Sequence, residues 1–285
     1  MPPSPTVRRR RLASELRRLR DAAGMTLDDA AEASEVSKST ISRIESRQTT
    51  AKIIVVKALL GAYGVAGDRA DSLIALAREA NQRGWWEKSD VFMREQTGTL
   101  IGLEAEASFI REYHPLLVPG LLQTAEYSKV IQSAIMMELN DDEINKRVAL
   151  RERRQERLAE VDLMAIIPEE VLLRPVGGHR AMGAQVTYLA ELSNCPNIQI
   201  AVLPLEAGAH GGMEGPFIIL SFPGGGSDVI YLENAASEVI EEDEQRVARF
   251  RKVFETLLAA ALRFDESRRR MLQIAKNFVQ EGDRP

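Results

Sequence analysis

The chain has 285 residues, 45% of them hydrophobic, and a single Cys, so it can bury one or two cores but holds no disulfide framework and no four-cysteine zinc site. No apolar run approaches the roughly 20 residues that span a bilayer, and the arginine-rich start is not followed by the apolar segment of a secretion signal; the composition therefore points to a soluble protein of a reducing cytoplasm. The net charge of -5 conceals a division: residues 1–64 hold 12 Lys and Arg against 7 Asp and Glu, a net of +5, and residues 65–285 hold 25 against 35, a net of -10, so the amino end suits a polyanion and the remainder does not.

Residues 1–7 carry three prolines and read as a disordered tail. A first helix is expected over residues 8–23, with Leu12, Leu16 and Leu19 at helical spacing and Gly24 placed to end it. Arg8 to Arg11 oppose the dipole at its start, which leaves two readings, phosphate contact or a solubilising terminus. Thr26 caps a second helix whose first turn holds Asp28 and Asp29; those acids fit a bracing helix rather than a reading one. After a tight turn, Ser37 caps a third helix over residues 38–46, in which Ile41 and Ile44 point inward and Lys38, Ser39, Ser42 and Arg43 remain on the outer face. Such a face fits a DNA major groove. Two more helices follow, over residues 52–63 and 70–82, the first closing a bundle of about the minimum size that folds alone.

Residues 25–45, Met-Thr-Leu-Asp-Asp-Ala-Ala-Glu-Ala-Ser-Glu-Val-Ser-Lys-Ser-Thr-Ile-Ser-Arg-Ile-Glu, resemble the Xre-type, repressor-like helix-turn-helix family. The resemblance implies base reading by Lys38, Ser39, Thr40 and Arg43, with Lys38 and Arg43 suited to the O6 and N7 acceptors of guanine. It also implies a structural ion pair between Arg20, late in the first helix, and Glu45 at the end of the reading helix. Contacts to the DNA backbone are assigned to Arg10, Arg11, Thr26, Ser42 and Arg47. Three positions depart from the family pattern. Leu27 stands where many members carry a phosphate-holding glutamine. Glu35 replaces the usual turn glycine, at a cost on the order of 1 kcal/mol. Arg47 replaces another common glycine and adds a cation there.

Beyond a linker marked by Gly84, Trp85 and Trp86, whose tryptophans read as packing residues because their surroundings are not basic, helical patterns cover residues 102–113, 124–138 and 141–159. In the last, Glu143 and Arg147 form a favourable i to i+4 pair. The period then changes to strands at residues 161–168, 198–205, 216–222 and 228–232, interrupted by a helix over 179–194. Glu238, Glu241, Glu242, Asp243 and Glu244 read as a solvated helix start, and helices over 243–263 and 265–279 close the chain.

Ile101-Gly-Leu-Glu-Ala-Glu-Ala-Ser108, Leu117-Val-Pro-Gly-Leu-Leu-Gln-Thr124, Arg147-Val-Ala-Leu-Arg151, Leu173-Arg-Pro-Val-Gly-Gly178 and Ala207-Gly-Ala-His210 resemble the domain attached to Xre-like heads in actinobacterial WhiJ-like, antitoxin-like regulators. That resemblance implies a repressor tuned by a small protein from a neighbouring gene. His114, His179 and His210 lie in no zinc-type pattern with carboxylates or with Cys195, and Cys195 has no inferable histidine partner, so a structural thiol is the better reading. The glycines of residues 208–215 lack the Gly-Lys-Ser/Thr ending of a nucleotide cradle and read as a turn. The expected fold class is a mainly α helix-turn-helix bundle over residues 8–82 followed by an α+β regulatory and dimerisation domain over 83–285. The expectation is a DNA-binding homodimer on a double-stranded operator, with no enzyme activity, cofactor, metal or membrane. A small-molecule sensor, with His210, Met213 and Arg174 close in sequence, is the alternative.

Overall fold

The computed structural model describes residues 5–46, 48–81, 95–223, 228–234 and 237–282. Arg47 and the linker residues Gly84, Trp85 and Trp86 lie outside them. The chain forms two compact units, one made of Met1–Ser89 with Ile101–Glu106 and the other of Asp90–Leu100 with Ala107–Pro285.

Among the described residues, five helices lie wholly in the first unit: α1 (Pro5–Ala22), α2 (Leu27–Ser34), α3 (Lys38–Glu45), α4 (Ile53–Ala62) and α5 (Asp68–Ala80). α1 starts at Pro5, three residues before the expected boundary and inside the stretch read as tail. Proline suits the first helical position because its fixed φ is already helical and its missing N–H has no partner to lose there. Gly24, at φ 68°, ends α1. The apolar faces of all five helices meet in one core, in which Leu16, Ile41, Val56, Leu59 and Ala77 are essentially solvent-free. α1 is also pinned to α5 by polar contacts. Arg8 Nε pairs with Glu79 at 3.3 Å, and Arg9 Nε donates to the Ala80 carbonyl at 2.8 Å, where a cation complements the negative end of the α5 dipole. Two of the four arginines that oppose the α1 dipole thus serve helix packing.

The second unit is a six-stranded mixed sheet flanked by helices. Its strands are β1 (Phe109–Tyr113), β2 (Asp162–Pro168), β3 (Ile198–Leu203), β4 (Phe217–Ser221), β5 (Val229–Glu233) and β6 (Glu238–Glu241), in the order β3-β2-β1-β4-β5-β6. β1, β2 and β3 are parallel neighbours, and β4, β5 and β6 follow antiparallel. The parallel strands are joined by long crossovers, α7 (Ala125–Ile135) and α8 (Asp141–Gln155), then α9 (Glu169–Leu173) and α10 (Gly178–Leu192). α6 (Glu95–Glu104) precedes the sheet, and α11 (Glu244–Ala260) and α12 (Phe264–Gly282) close it. Tyr113, Ile166, Ala201, Phe217, Ile219 and Ile230 share the face on which Val247, Phe254 and Leu257 of α11 pack. The edge of β3 is covered at the α11–α12 connection: Leu262 N donates to the Val202 carbonyl, and Val202 N donates to Ser267 Oγ, both at 2.9 Å.

Two expectations are corrected. Residues 102–113 are not one helix: α6 ends at Glu104 and the chain turns into β1. Phe109, Ile110 and Tyr113 are strand formers, while Arg111 is accommodated by pairing with Asp228 at 2.8 Å and lying over the Phe109 ring. The acidic run is not wholly a helix start either, since Glu238 to Glu241 form the edge strand β6 and only Asp243 caps α11, accepting from Arg246 N at 3.1 Å. In α8, the Glu143 carboxylate accepts from Asn140 N at 2.9 Å in a capping box, and Arg147 Nε donates to Gln132 at 3.1 Å.

Candidate nucleic-acid interface

The α2–turn–α3 segment is defined by its caps. Thr26 and Asp29 form a capping box at the start of α2: Asp29 N donates to Thr26 Oγ1 at 3.2 Å, and Thr26 N donates to the Asp29 carboxylate at 2.9 Å. The bonds the Asp29 carboxylate accepts from Thr26 N and, at 2.8 Å, from Thr26 Oγ1 hold it below its usual range. α2 ends in Glu35, which adopts φ 57°, and is the one described non-glycine residue with positive φ. Ser37 then caps α3, its Oγ accepting from Thr40 N at 3.2 Å. Ile41 and Ile44 are buried beneath α3, which turns the polar side outward.

A second fastening fixes the far end of α3. Arg20 Nε and Nη2 donate to the two Glu45 carboxylate oxygens at 2.8 and 2.9 Å, and Arg20 Nη1 donates to the Met25 carbonyl at 2.8 Å. One guanidinium thereby joins α1, the start of the motif and the end of α3. The side chains are only 11% and 7% exposed, and the hydrogen bonds to Glu45 raise the Arg20 guanidinium above its ordinary range. Tyr63, buried nearby, is pushed up to about 12 by burial and by the Glu45 charge.

The residues assigned to base reading occupy one helix but differ in availability. Arg43 is exposed in the last turn, with no ion pair to another described residue. Ser39 is exposed, its Oγ 3.1 Å from Ser37 Oγ. Thr40 is half-buried, its hydroxyl 2.8 Å from Ser37 Oγ. Lys38 is exposed but engaged: its Nζ lies 2.8 Å from Asp28 on α2.

The residues assigned to the DNA backbone are dispersed. Thr26 is exposed at the α2 cap and Ser42 half-buried on α3, close to the reading face. Arg10 and Arg11 lie near the other end of α1, about 15 Å along the helix from Arg20 at 1.5 Å per residue. Arg10 is half-buried, and Arg11 lines a groove with Glu15, Arg69, Ser72, Leu76 and Glu79, on the α1–α5 side rather than on α3.

In the second unit the chemistry-bearing residues singled out from sequence do not gather. His114 Nδ1 accepts from Leu117 N at 3.2 Å, and burial pushes its imidazole down to about 4. His179 lies 3.7 Å from Glu281, and His210 packs edge-on against Tyr113. Cys195 is exposed. Among the described residues no group of three His, Cys, Asp or Glu is disposed to hold a metal ion, and no helix is long and apolar enough to cross a membrane.

Comparison with known families bears on both units. Residues 11–73 match the family described as a helix-turn-helix domain, and residues 97–273 match the domain of unknown function DUF5753. The second match covers more than half of the chain. The chain belongs to the DUF5753 family. The helix-turn-helix match makes the first unit of this DUF5753 protein a DNA-binding domain of the regulator type, and it encloses α2, the turn and α3. No curated protein and no solved structure matches this DUF5753 chain.

Proposed function

We propose that this DUF5753 protein is a sequence-specific transcriptional regulator, a cytoplasmic repressor that grips its operator through α3. The observation that carries the reading is the fixed, outward polar side of α3, capped by Ser37 at one end and clamped through Arg20 and Glu45 at the other. Preorganisation of this kind lets a short helix present Lys38, Ser39, Thr40 and Arg43 to base edges without first becoming ordered. The remainder of the chain, with its net charge of -10, is repelled by phosphate and leaves the head to make the contact.

A single head of this size has limited affinity, so the protein acts as a homodimer on a two-fold site with half-sites one turn apart. The second unit supplies dimerisation and control by a small partner protein, as its similarity to WhiJ-like actinobacterial regulators suggests; it acts by binding and not by catalysis. A native mass spectrum of the full chain isolated from its own cells tests this part. A dimer carrying the mass of a small protein supports it, and a bare monomer contradicts it.

One observation favours a small-molecule sensor instead. Among the described residues His210 Nδ1 is buried with no hydrogen-bond partner, beside Tyr113, the last residue of β1, and crevices beyond the carboxyl ends of parallel strands are common ligand sites. Added mass of a few hundred daltons in the same spectrum supports this alternative.

A further inference from the structure

We propose that Asp28 is a specificity-determining residue that withholds the Lys38 ammonium from DNA until a matching base edge replaces it. This inference rests on the DNA-binding reading of α3 and adds to it a residue on α2 that touches no base.

The geometry has three parts. Lys38 is the first residue of α3 and Asp28 lies in the first turn of α2, so the two helix starts are bridged by the contact from Lys38 Nζ to Asp28 Oδ2 at 2.8 Å. The partners are not equally mobile. Asp28 sits on a short side chain at the positive end of the α2 dipole, where a carboxylate is stabilised, whereas Lys38 carries its charge on a flexible four-carbon stem. Both side chains are open to water, at 57% exposure for Lys38 and 72% for Asp28, so the pair is weak and opens readily.

The consequence follows from what each kind of DNA offers. A non-specific duplex offers mainly phosphate charge. Lys38 can take up a phosphate only by giving up Asp28, one charge partner exchanged for another, so the net gain is small. A matching site offers guanine O6 and N7, neutral acceptors that take the ammonium in a directed contact. Asp28 therefore subtracts more from non-specific binding than from specific binding, which widens the ratio between them.

The test is a mutant cycle on the full chain, read by fluorescence anisotropy on two probes. One is a mixed-sequence 30-bp duplex, and the other is a duplex enriched from a random library by the wild-type chain. In Asp28→Asn we expect about five- to tenfold tighter binding to the mixed duplex at about 100 mM salt, with a smaller gain on the enriched duplex, so that the specificity ratio falls about threefold. In a Lys38→Gln background the same Asp28→Asn change should alter mixed-duplex affinity less than twofold. An equal gain in both backgrounds overturns the proposal, because Asp28 then acts by general repulsion and not through Lys38. Unaltered affinity in Asp28→Asn overturns it as well. Failure of the wild-type chain to enrich or bind any duplex overturns the DNA-binding reading itself, and the proposal with it. Melting temperatures of the variants within a degree or so of wild type separate these outcomes from misfolding, as expected for an exposed pair.

Discussion

The Arg20 guanidinium donates to both carboxylate oxygens of Glu45, 25 residues away, and also to the Met25 carbonyl. Its location explains why an arginine is spent there: the first helix, the start of the motif and the end of the reading helix share one fastening, shielded from water. Removing one partner strands the other. Arg20→Ala should destabilise the first unit by about 2–4 kcal/mol, since breaking a shielded pair leaves an uncompensated charge. Melting followed by circular dichroism checks it, with Glu45→Ala giving a similar loss and the double variant less than the sum. Loss of stability should appear at temperatures where folded Arg20→Ala still binds DNA. A variant that melts like wild type contradicts the clamp.

Glu35 offers a test of opposite sign. Its φ of 57° suits glycine, and a side chain there costs on the order of 1 kcal/mol. Glu35→Gly is expected to raise the stability of the first unit by about 0.5–1 kcal/mol, part of the relief being offset by the greater freedom of glycine in the unfolded chain. A denaturant titration showing a lower midpoint in Glu35→Gly contradicts this account of the turn.

Gly212 tests the second unit. A Cβ at this position would stand 2.5 Å from Tyr113 Cε1 and 2.6 Å from Cζ, and the Tyr113 ring, solvent-free at the end of β1, has no room to retreat. Gly212→Ala should therefore cost about 1–3 kcal/mol by overpacking. Gly61 on α4 has nothing within 4 Å of such a Cβ and no positive φ, so Gly61→Ala should cost nothing. Thermal melts of the two variants decide the comparison.

His114 links stability to pH. Its ordinary value of 6.5 is pushed down to about 4 by burial and by the Arg151 charge. A depressed folded value means that the unfolded chain takes up the proton first. The stabilising contribution is thus complete above pH 6.5 and is lost as the pH falls towards 4. Glu106, in the first unit, is raised by burial to about 7 and works in the opposite sense, its contribution being complete below its ordinary 4.5 and lost as the pH rises through 7. The measurement is therefore a difference between wild type and His114→Gln, whose denaturant midpoints should converge between pH 6.5 and 4. A difference that does not change with pH refutes the assignment.

The first unit was largely legible because its signals are local. Thr26, Ser37 and Gly24 each specify a helix end within one turn of chain, and the turn strain at Glu35 followed from the family resemblance, in which a glycine usually holds that turn. What could not be read were contacts between residues distant in sequence. Arg8 and Arg9 reach Glu79 and Ala80 some 70 positions away, and Asp28 meets Lys38 only because the turn folds α3 back beside α2. In the second unit, β1 escaped because Arg111 and Glu112 interrupt its apolar pattern, although Asp228 supplies the counter-charge for Arg111 from the far side of the sequence. β6 escaped because carboxylates favour a helix start as well as an exposed sheet edge.

The measurement that tests the central claim most directly is the affinity of wild type and Arg43→Ala for the enriched duplex, with melting temperatures taken alongside. Arg43 is exposed on the last turn of α3, so its removal should leave the melting temperature unchanged. It should also weaken specific binding by roughly 5- to 150-fold, about 1–3 kcal/mol. Unchanged affinity in a folded Arg43→Ala chain would contradict the assignment of α3 as the reading helix.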